Sequence, residues 1–236
     1  MTDLVRRLSR SGEGRGEFSD NREWLVTNGL GGYASGTVDG VITRRYHGLL
    51  IAALPAPLGR IVMLSDLSDS IELPDGNLVA ISGAQNSEPA SGQVGSLVEF
   101  RLENGLPVWR YEIAAFVLEK SLILPHLQNT VHITYRILAG DGAVRLKLRP
   151  LLHFRPHEAS VSVQPEAPYV LTVSEDRYEV SAGTLPILRI FIYGQGTEFT
   201  IDRKKIEKIS YVGEAVRGYG RSLDAGVFRR ELGQRR

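Results

Sequence analysis

The sequence predicts a mainly β chain, folded as a sandwich-like domain larger than an immunoglobulin fold. Three observations carry this. Short β-favouring segments recur along most of the chain, about fifteen in all. Turn signals such as "PDGN", "ENGLP", "AGDG", "SAGTLP" and "YGQGT" separate many of them. Helical periodicity is scarce.

Residues 1–22 are polar and charged, and "SRSGEGRGEFSDN" reads as part of a flexible N-terminal segment. A single ordered domain is expected over 23–232, with 233–236 as its C-terminal end. Candidate strands in the first half are 23–27, 35–43, 46–54, 60–72, 78–82, 96–103, 108–116, 117–124 and 130–138. The second half adds 143–153, 159–163, 169–173, 177–181, 187–193 and 197–201. In "TVHITYRILAG", Val131, Ile133, Tyr135 and Ile137 share one face, and Thr130, His132, Thr134 and Arg136 share the other. Such alternation belongs to a strand with one packed and one wet face. Val144, Leu146 and Leu148 alternate in the same way against Arg145, Lys147 and Arg149. "GLLIAAL" is apolar on both faces, which suits a central strand between two layers. The exception is 202–217. There Ile206, Ile209, Val212 and Val216 recur at helix spacing behind a capping Asp202, with Gly213 weakening the helix.

Charge is balanced, with 28 Lys and Arg against 27 Asp and Glu, so nothing calls for a nucleic acid or an anionic membrane as partner. No apolar run has the length of a membrane helix, and no secretory core follows the first arginines. The chain has no cysteine, which removes disulfides, thiolate catalysis and thiolate metal sites. Together these features lead to the expectation of a cytoplasmic protein.

Chemistry-bearing residues concentrate between Glu23 and Leu50, in "EWLVTNGLGGYASGTVDGVITRRYHGLL". Gly29, Gly31 and Gly32 lack the spacing of a dinucleotide fingerprint, and strand-like residues follow where a helix is required. They serve either a tight loop that needs positive φ and close approach, or a loop shaped against a ligand. Arg44 or Arg45 can fork a carboxylate or a hydroxyl pair, or else pairs with an acid such as Asp39. Tyr33 and Tyr46 offer rings to a sugar face. His47 has no metal-ligand partner at a useful spacing and no H-E-x-x-H occurs, so neither metal nor cofactor is expected. A serine nucleophile elbow is also missing. Asp66, Asp69 and Glu72 recur in "SDLSDSIEL", read as a solvated strand or turn face. Trp109, Tyr111 and Ile113 share a face that is either sheet core or an aromatic platform for a glucan.

The segment "EWLVTNGLGGYASGTVDGVITRRYHGLLIAALPAPLGRIVML" resembles the start of the N-terminal domain of bacterial and archaeal glycogen debranching enzymes, the amylo-alpha-1,6-glucosidase family. The likeness is carried by "TNGLGGYASGT" together with "TRRYHGLL". "RPLLHFRPHE", "EAVRGYG" and "LDAGVFRREL" are similar to later family segments, with Gly220 where an aspartate is common, and extend the likeness over 23–232. The resemblance implies a large antiparallel β supersandwich of galactose mutarotase-like architecture. It also implies a second domain in the parent protein, an α/α toroid with the catalytic carboxylates for α-1,6 branch hydrolysis, so that this chain is the N-terminal portion alone.

The role expected on that basis is non-catalytic. The domain packs on the toroid and contacts α-glucan, and Asn28, Tyr33, Arg44, Arg45, Tyr46 and His47 are the candidate contact residues. A purely structural interdomain module is one alternative. A stand-alone sugar-active enzyme with His47 as base is another, although general acid–base catalysis needs a second positioned group and none stands out.

Overall fold

The structure, a computed structural model, describes residues 5–9, 22–82, 93–159, 167–175, 177–194, 196–200, 226–227 and 229–233. Its first ten strands are β1 (Val5–Ser9), β2 (Glu23–Thr27), β3 (Tyr33–Thr37), β4 (Gly48–Leu54), β5 (Gly59–Glu72), β6 (Leu78–Ala80), β7 (Ser96–Glu103), β8 (Leu106–Ile113), β9 (Phe116–Ile123) and β10 (His132–Ala139). The remainder are β11 (Arg145–Pro156), β12 (Val170–Ser174), β13 (Arg177–Ser181), β14 (Leu188–Phe191), β15 (Thr197–Thr200), β16 (Gly226–Val227) and β17 (Arg229–Gly233). No helix occurs among the described residues. The helical expectation for 202–217 and most of the strand expected at 159–163 lie outside them.

The strands form three sheets. One has five strands in the order β1-β7-β8-β9-β10. A nine-stranded sheet runs β15-β17-β11-β5-β4-β3-β2, with β16 added on β11 and β6 on β5. The third is β12-β13-β14. All ladders between these strands are antiparallel. The fold is therefore mainly β, antiparallel and supersandwich-like, as the strand density predicts.

The nine-stranded sheet is the middle layer, covered on both faces. Trp24, Val26, Ala34 and Ile71 on one side meet Phe100, Trp109, Tyr111, Ile113, Leu118 and Leu122 of the five-stranded sheet. Leu50, Ala52, Ile61, Met63, Leu152 and Phe154 on the other meet Val180 and Leu188 of the three-stranded sheet. This is why "GLLIAAL" is apolar throughout: it is β4, between β3 and β5. The faces of β10 also agree with their alternation, since Val131, Ile133, Tyr135 and Ile137 all pack on the first core.

β5 serves both cores because its register slips. Leu151 of β11 faces Asp66, but Leu152 faces Leu64, so Ser65 is an extra residue. A single inserted residue reverses the alternation downstream. Ile61 and Met63 accordingly face one core while Ile71, also odd-numbered, faces the other. The displaced Ser65 is satisfied, its hydroxyl donating to the Leu151 carbonyl at 2.9 Å.

Three sequence expectations are corrected. Part of the segment read as flexible is a strand, with Val5 to Ser9 paired along β7 from Glu103 to Glu99 and Leu8 set against the first core. The strand expected over 35–43 ends at Thr37, because the Thr37 hydroxyl turns back onto Asp39 and the Val41 carbonyl. The strand expected over 46–54 begins only at Gly48, because Arg44 to His47 form a turn closed by the His47 N–H on the Arg44 carbonyl at 3.1 Å.

Candidate functional site

The glycine-rich segment joining β2 to β3 is organised by Asn28, which is fully buried. Its side-chain oxygen accepts from the Leu30 and Gly32 N–H groups, both at 3.0 Å. Its amide nitrogen donates to the Gln128 carbonyl at 2.8 Å and to Asn129 Oδ1 at 3.1 Å. Gly29 and Gly31 hold φ of +80° and +94°, a region that favours glycine. A Cβ on Gly32 would lie 2.7 Å from the Asn28 amide nitrogen and 2.8 Å from the Ile51 carbonyl, so that glycine permits close approach. Asn28 and the three glycines thus shape the loop.

The next group is built on the turn at 43–47. The Thr43 N–H donates to His47 Nδ1 at 3.3 Å. In the neutral ring the proton therefore sits on Nε2, which faces Glu23 Oε1 at 3.4 Å. Arg44 donates to the same Glu23 oxygen, so the acid that takes an arginine here is Glu23 and not Asp39. His47 is 5% exposed, and its imidazole acts as a post between the turn and β2.

Arg45 and Tyr46 stay partly exposed. The Arg45 guanidinium lies 4.7 Å over the Tyr46 ring and donates to its hydroxyl at 2.5 Å. The Tyr33 hydroxyl donates to the Tyr46 carbonyl at 3.1 Å. His157, just past β11, completes the group, its ring 6.5 Å from Tyr33 and 6.1 Å from Tyr46. Arg155 is buried beneath and donates to the carbonyls of Arg45, Pro156, His157 and Ala159. Arg60, at the start of β5, donates Nε to the Gly31 carbonyl at 2.6 Å. Burial, together with the nearby Arg60 and Arg155 charges, holds the His157 imidazole below its usual range against the opposing pull of Glu158.

These residues form one rim on the middle sheet. Trp24 and Val26 of β2 point into the first core, so Leu25 between them points to the opposite face, where it is 61% exposed. Leu25 pairs with Ser35 and Thr27 with Tyr33, which sets them beside the turn. Of the six candidate contact residues, Tyr33, Arg44, Arg45 and Tyr46 reach the surface, whereas Asn28 and His47 support from within. Arg60, Arg155 and His157 escape a sequence reading because they arrive from distant parts of the chain, and Leu25 because an apolar strand residue inside the motif carries no polar signal.

A second polar group lies between the first two layers. Asp69, fully buried, accepts from Lys120 Nζ at 2.6 Å, the Tyr135 hydroxyl at 2.7 Å and the Ser82 hydroxyl at 2.8 Å. The solvated-face reading of Asp69 is therefore wrong. Its sequence signal was its alternation phase, shared with the buried Leu67 and Ile71. Next to it is a cavity of about 40 Å³, lined in part by His47, Ser65, Asp66, Ser82, Tyr111 and Lys120. Burial pushes the Asp66 carboxyl up to about 6, despite the Leu67 N–H and the Lys120 charge pulling it down. Trp109, Tyr111 and Ile113 are 5%, 3% and 1% exposed, so they are core and not a glucan platform. Among the described residues no three His, Asp or Glu side chains converge as a metal site.

Fold and rim together define a layered antiparallel β domain with a polar and aromatic cluster on one face of its middle sheet. Residues 22–228 match the family described as glycogen debranching enzyme N terminal, and the chain belongs to that family. No curated protein and no solved structure matches it.

Proposed function

We propose that this chain is the non-catalytic N-terminal domain of an amylo-alpha-1,6-glucosidase. It supports α-1,6 branch hydrolysis by packing on an α/α-toroid catalytic domain and by contacting α-glucan along the rim. The observation that supports glucan contact is the rim's make-up: Leu25, Tyr33 and Tyr46 give apolar and aromatic surface beside arginine donors. Sugar sites combine such surfaces with a few convergent polar groups. Titration of the chain with maltotriose and maltoheptaose, followed by calorimetry and amide spectra, tests this reading. Binding that moves the Tyr33 and Tyr46 signals is expected, with Tyr46→Ala weakening it about five- to ten-fold. If no rim signal moves at saturating glucan, direct contact is excluded.

A second reading, a purely structural interdomain seam, is favoured by a different observation. Leu25, Leu30 and Leu127 are 61%, 46% and 58% exposed. Leu30 and Leu127 belong to one loop cluster, where the Leu127 N–H donates to the Asn28 carbonyl at 2.7 Å. A contiguous exposed apolar patch is the kind of surface that an assembly covers.

A further inference from the structure

Beside the groups that suit a glucan, the rim carries a cationic donor that a neutral sugar does not require. A sugar hydroxyl both donates and accepts, so a site for it supplies acceptors as well as donors. Here the carboxylate nearest the turn, Glu23, is already engaged by Arg44 and faced by His47. Glu158 is 79% exposed and is turned to His157 Nε2 at 3.7 Å. Arg60 contributes donors only. Its Nε is fixed on the Gly31 carbonyl, and among the described residues its two terminal nitrogens donate to no protein group. A guanidinium anchored at one nitrogen and open at the other two is an oriented fork for an oxyanion.

The anchoring is specific to this fold. Gly31 carries a positive φ of +94° in the loop braced by Asn28, and its carbonyl is aimed at Arg60. The Arg60 carbonyl in turn accepts the His157 N–H at 3.0 Å, tying the fork to the aromatic group. Resting on the glucan-contact reading above, we propose that the rim is a subsite for a phosphorylated sugar. The sugar ring lies against Tyr33 and Tyr46, and its phosphate monoester is held by the terminal nitrogens of Arg60.

The test is a calorimetric titration of the whole chain at low salt with glucose 6-phosphate, inorganic phosphate and maltotriose, repeated with Arg60→Gln. Glucose 6-phosphate is expected to bind about ten-fold more tightly than maltotriose. Arg60→Gln is expected to remove that preference, bringing glucose 6-phosphate affinity down to that of maltotriose measured on the same variant. Arg60 is exposed, so the variant keeps its fold, which circular dichroism verifies. If maltotriose binds and glucose 6-phosphate binds no better, or if Arg60→Gln keeps the preference, the phosphate inference is overturned while the glucan reading stands. If inorganic phosphate binds as tightly as the sugar phosphate, the sugar part is overturned. If none of the three binds, both readings fall.

Discussion

At the scale of the residue, Asp66 and Asp69 differ in how their charge is met. Asp66 lines a small cavity, and burial raises its carboxyl to about 6 from 3.8. The folded chain therefore keeps that proton up to about pH 6, whereas the unfolded chain releases it near 3.8. Between those values the folded state binds more protons, so the contribution of this group to stability falls as pH rises. The total loss is up to about 3 kcal/mol. Asp66→Asn keeps an acceptor for the Leu67 N–H and removes the titration. Its stability relative to the parent, from urea unfolding at pH 4 and pH 7, is expected to rise with pH by up to that amount. Asp69 instead has three donors, Lys120 among them. Lys120→Met leaves a buried carboxylate without its cation and is expected to cost about 3–5 kcal/mol in the same measurement. A cycle with Asp69→Asn then isolates the pair, and a coupling near zero would show that Lys120 matters through packing alone.

At the scale of the element, the loop between β2 and β3 is held by close contact rather than by length. Gly32→Ala sets a Cβ against the Asn28 amide and the Ile51 carbonyl, and the latter is main chain that cannot swing away. A cost of about 2 kcal/mol is expected from thermal unfolding. The disturbance should spread to Asn129, since the Asn28 amide and the Ala53 N–H both donate to Asn129 Oδ1. An unchanged melting temperature would mean that the loop yields freely and that Asn28 is no brace.

For the whole molecule, the decisive feature is a middle sheet with cores on both faces. β4, β5 and β11 lie inside that sheet and contribute to the second core, with β5 reaching the first as well. β10 borders the five-stranded sheet, and most of its residues remain exposed or half-exposed. Hydrogen exchange should therefore be slowest in β4, β5 and β11 and faster in β10 and β12, since local opening follows the packing that must be lost. Faster exchange in β5 than in β10 would contradict the layered arrangement.

Much of the fold was legible because alternation and turn residues are local properties. β2, β7 and β13 match the expected bounds, and "GLLIAAL" announced a strand covered on both sides. The motif around Asn28 and Arg44 to His47 was likewise readable as a stretch. Its division of labour was not, because whether a side chain braces or reaches solvent depends on strands distant in the sequence. Gln128 and Asn129 saturate Asn28, Glu23 engages Arg44, and Arg60 and His157 arrive from β5 and the end of β11. The Ser65 bulge was equally hidden, since a register slip exists only against a partner strand. The sequence by itself determined the strand character, the turns and the family likeness. Only the tertiary structure decided which polar groups are buried in pairs and which remain open on the rim, because burial and pairing are relations between segments that the chain order keeps apart.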